Sequence, residues 1–185
     1  MTAQHVSTAT RADLCPGSTE ALGRPARETV IRALRTSDLP AIEAHLLALG
    51  RSDRASRFHA LLGDDAVQAY VGRIDFARMI LIGAFDRETE QLVGLAEAHL
   101  DAAISPLRAE VSVSVLADHR GRGLGRLLTA VALDDAAARG TRRADFYFQA
   151  GNRAVARLVG DLGAPIATAP GFASLALPLG GPRLH

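Results

Sequence analysis

Between Glu110 and Val115 the chain alternates strictly, with Val111, Val113 and Val115 apolar and Glu110, Ser112 and Ser114 polar. A two-residue period puts the valines on one face and the polar side chains on the other, which predicts a strand half-buried in a sheet. From Leu124 the period lengthens. Leu124, Leu127, Leu128 and Val131 recur at helical spacing and Gly140 stands as a C-terminal stop, so Leu124 to Arg139 reads as a helix. The change of period falls across Arg120-Gly-Arg-Gly-Leu-Gly125.

Upstream, Glu28 to Leu34 reads as a first strand. Ser37-Asp38 before Leu39-Pro40 mark a helix start, a polar cap and then an early proline. Ile42, Leu46 and Leu47 share one face of that helix, and Gly50 ends it. Ser52-Asp53 and Asp64-Asp65 open two more helical segments, the second reaching about Gly72; both are polar enough to lie at the surface. Ala77 to Phe85 reads as a strand buried on both faces. The polar turn Asp86 to Gln91 returns it as Leu92 to Leu100, a hairpin. Downstream, Arg143 to Phe148 is a strand. Asn152 to Leu162 is a short helix with Val155, Leu158, Val159 and Leu162 on one stripe. Ile166 to Leu177 forms a last hairpin around Pro170-Gly171. No internal repeat is visible. This order predicts an α+β domain, one mixed sheet with helices on both faces. Residues 1–27 lack periodicity and read as a flexible or disordered tail, with the domain over 28–180.

A chain of 185 residues suits one domain with a sizeable core. A formal net charge of +1 and the absence of Trp give neither a field for nucleic acid nor a base-stacking platform. No apolar run reaches membrane-spanning length, and Met1 to Arg11 lacks the apolar core of a secretory signal. The one cysteine, Cys15, cannot form an internal disulfide. The expectation is a cytoplasmic protein with no nucleic-acid or membrane partner. No spacing of His, Cys and acids reads as a metal site, and no Ser-His-Asp arrangement is legible.

A strand, a glycine-rich turn and a helix in succession build an anion site. Glycines let the backbone approach a ligand, and free N–H groups at the helix start point at it. Arg120, Arg122 and Arg126 lie in or beside the turn. A P-loop would need Gly-Lys-Ser/Thr, which is missing. A dinucleotide fingerprint would need glycine at its sixth position, but counting from Gly121 or Gly123 that place holds Arg126 or Leu128. The pattern that fits is Arg-x-x-Gly-x-Gly at Arg120, Gly123 and Gly125. With the valine strand before it, this stretch resembles the cofactor motif of the GNAT superfamily of acyl-CoA N-acyltransferases. Asn152-x-x-Val155-x-x-Leu158-Val159-x-x-Leu162-Gly163 resembles that family's downstream Asn-led helix.

The resemblance implies a single domain around a mostly antiparallel, twisted sheet, with acetyl-CoA as acyl donor and no metal. It implies that the backbone of Val113 and Val115 pairs with the pantetheine amides. It assigns Arg120, Gly121, Arg122, Gly123, Leu124, Gly125 and Arg126 to the pyrophosphate, and Asn152 to a polar contact near the thioester. The acceptor would be a small-molecule primary amine or a protein lysine, attacking directly in a ternary complex; a homodimer stays open.

Such an amine is protonated at neutral pH and needs a proton acceptor. Glu110, on the polar face of the cofactor strand, is the candidate, with burial expected to raise its pKa. Glu97 and His99, on one face of the preceding strand, are runners-up, and His119 lies next to the turn. Two departures from the family pattern stand out. Val159 occupies the place of a tyrosine that acts as general acid in many members, and Ala164 replaces an aromatic. Arg51-Ser-Asp-Arg-Ala-Ser-Arg57-Phe58 and Ile74-Asp75-Phe76 are similar to acceptor-side segments of members that acetylate lysines in bacterial metabolic enzymes; otherwise Arg51, Arg54 and Arg57 form a solvated basic face. The alternative to an enzyme is a non-catalytic acyl-CoA-binding regulatory module.

Overall fold

The structure is a computed structural model and describes residues 28–101, 103, 107–163 and 167–177. The expected tail over 1–27, Cys15, Ala164 and the end of the domain at 178–180 lie outside the described residues. The chain runs β1 (Thr29–Ala33), α1 (Leu39–Ala48), α2 (Arg51–Phe58), α3 (Asp64–Val71), β2 (Met79–Asp86), β3 (Leu92–Asp101), β4 (Arg108–Val115), α4 (Leu124–Ala138), β5 (Arg143–Tyr147), α5 (Arg153–Leu162), β6 (Ala167–Ala169) and β7 (Phe172–Ala176). Every expected element is present, with ends displaced by one or two residues.

The seven strands form one sheet in the order β1-β2-β3-β4-β5-β7-β6. All neighbouring pairs are antiparallel except β4 and β5, which the crossover through α4 makes parallel. Each face of the sheet carries its own core. Ile42, Leu46, Val67 and Val71 of α1 and α3 pack on Leu81, Leu92 and Leu95. Leu124, Leu128 and Ala132 of α4, with Val159 of α5, pack on Val93, Ala96, Ala98, Val111 and Phe146.

The pairing of β2 with β3 slips between Ala84 and Phe85. This bulge turns both Val93 and Gly94 toward α4. A Cβ on Gly94 would lie 2.7 Å from Leu128 Cδ1, so only glycine lets α4 seat at that depth. The predicted alternation of β4 holds. Val111, Val113 and Val115 join the α4 core, and the polar row faces the opposite side of the sheet.

His45 pins α1 to the sheet and is 1% exposed. Its Nδ1 lies 2.9 Å from Leu92 O and its Nε2 2.8 Å from Ser114 Oγ. A carbonyl only accepts, so Nδ1 carries the proton and the serine hydroxyl donates to Nε2. Burial favours this neutral form and lowers the pKa from 6.5 to about 4. Below pH 6.5 the unfolded chain therefore binds a proton that the native state refuses, so stability falls as pH falls through this window. We expect a loss of about 2 kcal/mol from this group between pH 7.5 and pH 5. Urea unfolding at the two pH values measures it, and His45→Gln should lack that part of the slope.

Candidate functional site

The parallel ladder of β4 and β5 is short. It joins Arg108, Ala109 and Glu110 to Arg143, Ala144 and Asp145, and then stops. Beyond Glu110, β4 continues to Val115 with no strand on that side among the described residues. The Leu116 N–H donates to Val93 O on the β3 side. Backbone groups alternate in direction along a strand, so those of Val111, Val113 and Val115 turn to the open side. The valines expected to serve as a ledge thus present an edge without a strand partner, with Val115 O taken by the Arg120 side chain, the kind of edge an extended amide ligand can extend.

This edge runs into the glycine turn. Gly121 and Gly123 have φ of +72° and +79°, the left-handed region, and nothing lies within 4 Å of a Cβ built on either. Gly123 caps α4 with no side chain bonded to the helix. At this end Leu127 N–H donates to Gly123 O at 3.1 Å. The N–H groups of Leu124, Gly125 and Arg126 thus point outward at the positive end of a 15-residue helix. A Cβ built on Gly125 would make ordinary contact with Leu158, Val115 and Val113, so this glycine sits against the valine strand without being forced by crowding. The turn, Arg122 and Arg126 are exposed, and Arg122 reaches Glu28 at 3.4 Å. The chemistry of these donors fits a pyrophosphate.

Two of the expected cofactor residues are tied to α2. The Arg120 guanidinium donates through Nε to Val115 O at 2.7 Å and pairs through Nη2 with Asp53 at 2.7 Å. Asn152 caps α5 through Oδ1, accepting from Val155 N–H at 3.2 Å, and its Nδ2 donates to Ser56 Oγ at 3.0 Å. One helix therefore touches both walls of the open edge. The sequence analysis named neither Asp53 nor Ser56 in these roles, because nothing in a short polar helix marks its long-range partners.

Glu97, His99 and Glu110 share the face under α1 to α3, with His99 opposite Glu110 in register. Glu97 is completely buried. It accepts from the Tyr70 hydroxyl, lies 2.5 Å from Arg57 Nη2 and is approached by His99 Nε2 at 3.6 Å. Burial alone would raise its pKa, but the Arg57 charge, with His99 and Tyr70, outweighs burial and holds it at about 2. Glu97 is thus a fixed counter-ion and makes a poor base at neutral pH. Burial and the Glu97 charge together push the Tyr70 phenol well above its ordinary value.

Two expectations change here. The basic face of α2 is solvated only in part: Arg51 is exposed, but Arg54 and Arg57 are not. The Arg57 side chain is only 9% exposed, and Arg54 is held by Leu47 O and Asp64. The burial expected of Glu110 is also not found. It is exposed at the start of the open edge, between His99 on β3 and Asp145 on β5, because the helices cover a different part of that face. Val159, the replacement for the expected tyrosine, is 2% exposed in the α4 core. His119 is half-buried in the short 3-10 turn Ala117–His119.

A family model described as "Acetyltransferase (GNAT) family" matches residues 44–163. No curated protein matches the chain at a significant level. Among solved structures, the GNAT domain of S. lividans PAT is 19% identical with a TM-score of 0.64, covering 80% of this chain and 89% of that one. The spermidine N-acetyltransferase of Vibrio cholerae, solved with CoA and spermine, is 18% identical with a TM-score of 0.62, covering 81% and 96%. The ribosomal-protein-S18-alanine N-acetyltransferase of Escherichia coli is 18% identical with a TM-score of 0.59, covering 85% and 99%.

Proposed function

The chain belongs to the GNAT acetyltransferase family, and from that premise we propose that it transfers an acetyl group from acetyl-CoA directly to a primary amine. The observation that carries this reading is the unpaired β4 edge running straight into a turn of outward N–H groups. That arrangement suits a ligand with amides along one arm and a pyrophosphate at its end. The solved proteins of this fold include one named for spermidine and one PAT domain. An aliphatic amine, free or on a protein lysine, is the acceptor we propose, in a cytoplasmic setting.

In this reading Val113 N–H steadies the carbonyl oxygen as charge builds on it. Arg120 and the N–H groups at the start of α4 hold the phosphates. Glu110 faces the incoming amine and takes its proton, directly or through water. The test is calorimetric titration with acetyl-CoA, ATP and NAD, followed by CoA-thiol release with spermidine, simple alkylamines and a lysine peptide. Binding of acetyl-CoA alone and thiol release with an amine are expected. Acetyl-CoA binding without turnover on any amine would identify a regulatory module instead.

Asp53 and a phosphate compete for the same Arg120 guanidinium, which gives the turn a second test. Arg120→Ala should weaken CoA by roughly 10- to 100-fold, the worth of one charge-assisted bond. Asp53→Asn should tighten it a few-fold, because an exposed ion pair costs little to break. Equal CoA affinities in wild type and Arg120→Ala would remove Arg120 from the phosphate site.

A further inference from the structure

Behind the exposed Glu110 lies a polar cluster that the proposed chemistry does not yet use. We propose that His99, held from behind by buried Glu97, is the relay that takes the acceptor's proton from Glu110 and passes it to solvent. The inference rests on the transferase reading above and adds a second proton-handling residue to it.

The geometry supports this in three ways. First, His99 and Glu110 are paired residues on adjacent strands, on one face. Side chains so placed have Cβ atoms about 5 Å apart. Second, His99 Nε2 faces Glu97 Oε2 at 3.6 Å, while the His99 side chain is 46% exposed. At that distance the contact is longer than a hydrogen bond, and the carboxylate charge favours the proton on the nearer Nε2, which leaves the Nδ1 lone pair turned away from Glu97. A carboxylate behind an imidazole, biasing its tautomer, is the arrangement that hydrolytic triads use at hydrogen-bond distance. Third, Glu97 cannot turn away. Arg57 from α2 and Tyr70 from α3 hold it, and Arg57 lies over the Phe58 ring at 4.9 Å. Glu97 Oε1 and Ser112 Oγ, in register across β3 and β4, are buried without partners among the described residues, so the cluster keeps polar capacity on the β4 side.

The amine arrives as an ammonium and loses one proton to Glu110, which passes it to His99 Nδ1, giving an imidazolium. The amine lone pair then forms the C–N bond and the C–S bond breaks. The second N–H proton ends on the leaving sulfur as CoA thiol, and His99 returns the first proton to solvent. The charged groups around His99 are Glu97 and Asp101 on its own strand, Glu110 and Arg108 on β4 and Arg57 on α2; the Tyr70 phenol on α3 and Met79, opposite it on β2, are neutral.

The experiment has two arms on the full chain. In the first, NMR of ¹⁵N-labelled imidazoles in the neutral form, assigned with His99→Ala, reads the His99 tautomer in wild type and Glu97→Gln. Wild type should carry the proton on Nε2, toward Glu97, and Glu97→Gln should weaken that preference; the wild-type tautomer is itself the test if Glu97→Gln does not fold. In the second arm, His99→Ala should lose about tenfold or more in kcat, keep its CoA affinity, and recover rate with added imidazole. A wild-type His99 protonated on Nδ1, or a slow His99→Ala enzyme that imidazole does not rescue, would overturn the relay. Wild-type protein that binds acetyl-CoA but acetylates no amine overturns the transferase reading instead.

Discussion

Replacing Glu97 by leucine should destabilise the domain by about 3–5 kcal/mol, the cost of leaving one member of a buried ion pair alone. Glu97 is 0% exposed and the Arg57 side chain 9%. Without the carboxylate, the guanidinium keeps its charge and loses its counter-ion, and the Tyr70 hydroxyl loses its acceptor. Little of either group is open to water where it stands. The triple replacement Glu97→Leu, Arg57→Met, Tyr70→Phe removes all three polar groups together, and such replacements are often neutral or stabilising. Urea unfolding at pH 7.5 should therefore show one severe single variant and a near-normal triple variant. A Glu97→Leu cost below 1 kcal/mol would mean that Arg57 escapes to solvent.

This cluster holds α2, and α2 carries the contacts to Arg120 and Asn152 through Asp53 and Ser56. Stability and site geometry are thus joined in one short helix. A substitution that loosens Arg57 is expected to disturb the glycine turn as well as the face around His99. For that reason the stability of each site variant has to be measured before its activity is read.

Most of the fold was legible because it is written in short-range periods. The valine alternation of β4 and the leucine spacing of α4 each sit inside one element, and the turn at Pro170-Gly171 joins two adjacent strands. The cofactor turn was legible for the same reason, since strand, glycines and helix are contiguous. The acceptor side was not, because its partners are distant in sequence. Arg57 meets Glu97 across 40 residues and Asn152 meets Ser56 across 96. A local reading therefore placed Arg57 in solvent. One signal did point the other way: Glu97 stands in Leu92-Val-Gly-Leu-Ala-Glu-Ala, an apolar strand where a charge needs a buried partner. Glu110 misled in the opposite sense. Its place in the strand suggested burial, but the extent of helix cover that left it exposed cannot be read from strand periodicity.

Replacing Glu110 by glutamine should lower kcat for acetyl transfer by about 10²- to 10⁴-fold, the range for loss of a positioned proton acceptor. The same variant should bind acetyl-CoA within about twofold of wild type and unfold within about 0.5 kcal/mol of it, as an exposed substitution does. These expectations follow from position. Glu110 is exposed, lies at the last paired rung before β4 and β5 part, and faces away from the α4 core. It can thus meet an amine at the mouth of the open edge while taking no part in packing. Glutamine keeps the shape and a hydrogen-bond acceptor but cannot take up the proton. The loss should fall on kcat more than on KM for acetyl-CoA, and the rate should recover in part as pH rises and more amine arrives neutral. Retention of the wild-type rate would move proton acceptance off β4. With Glu97 held ionised by Arg57, His99 or water would then be left to take the proton from the amine.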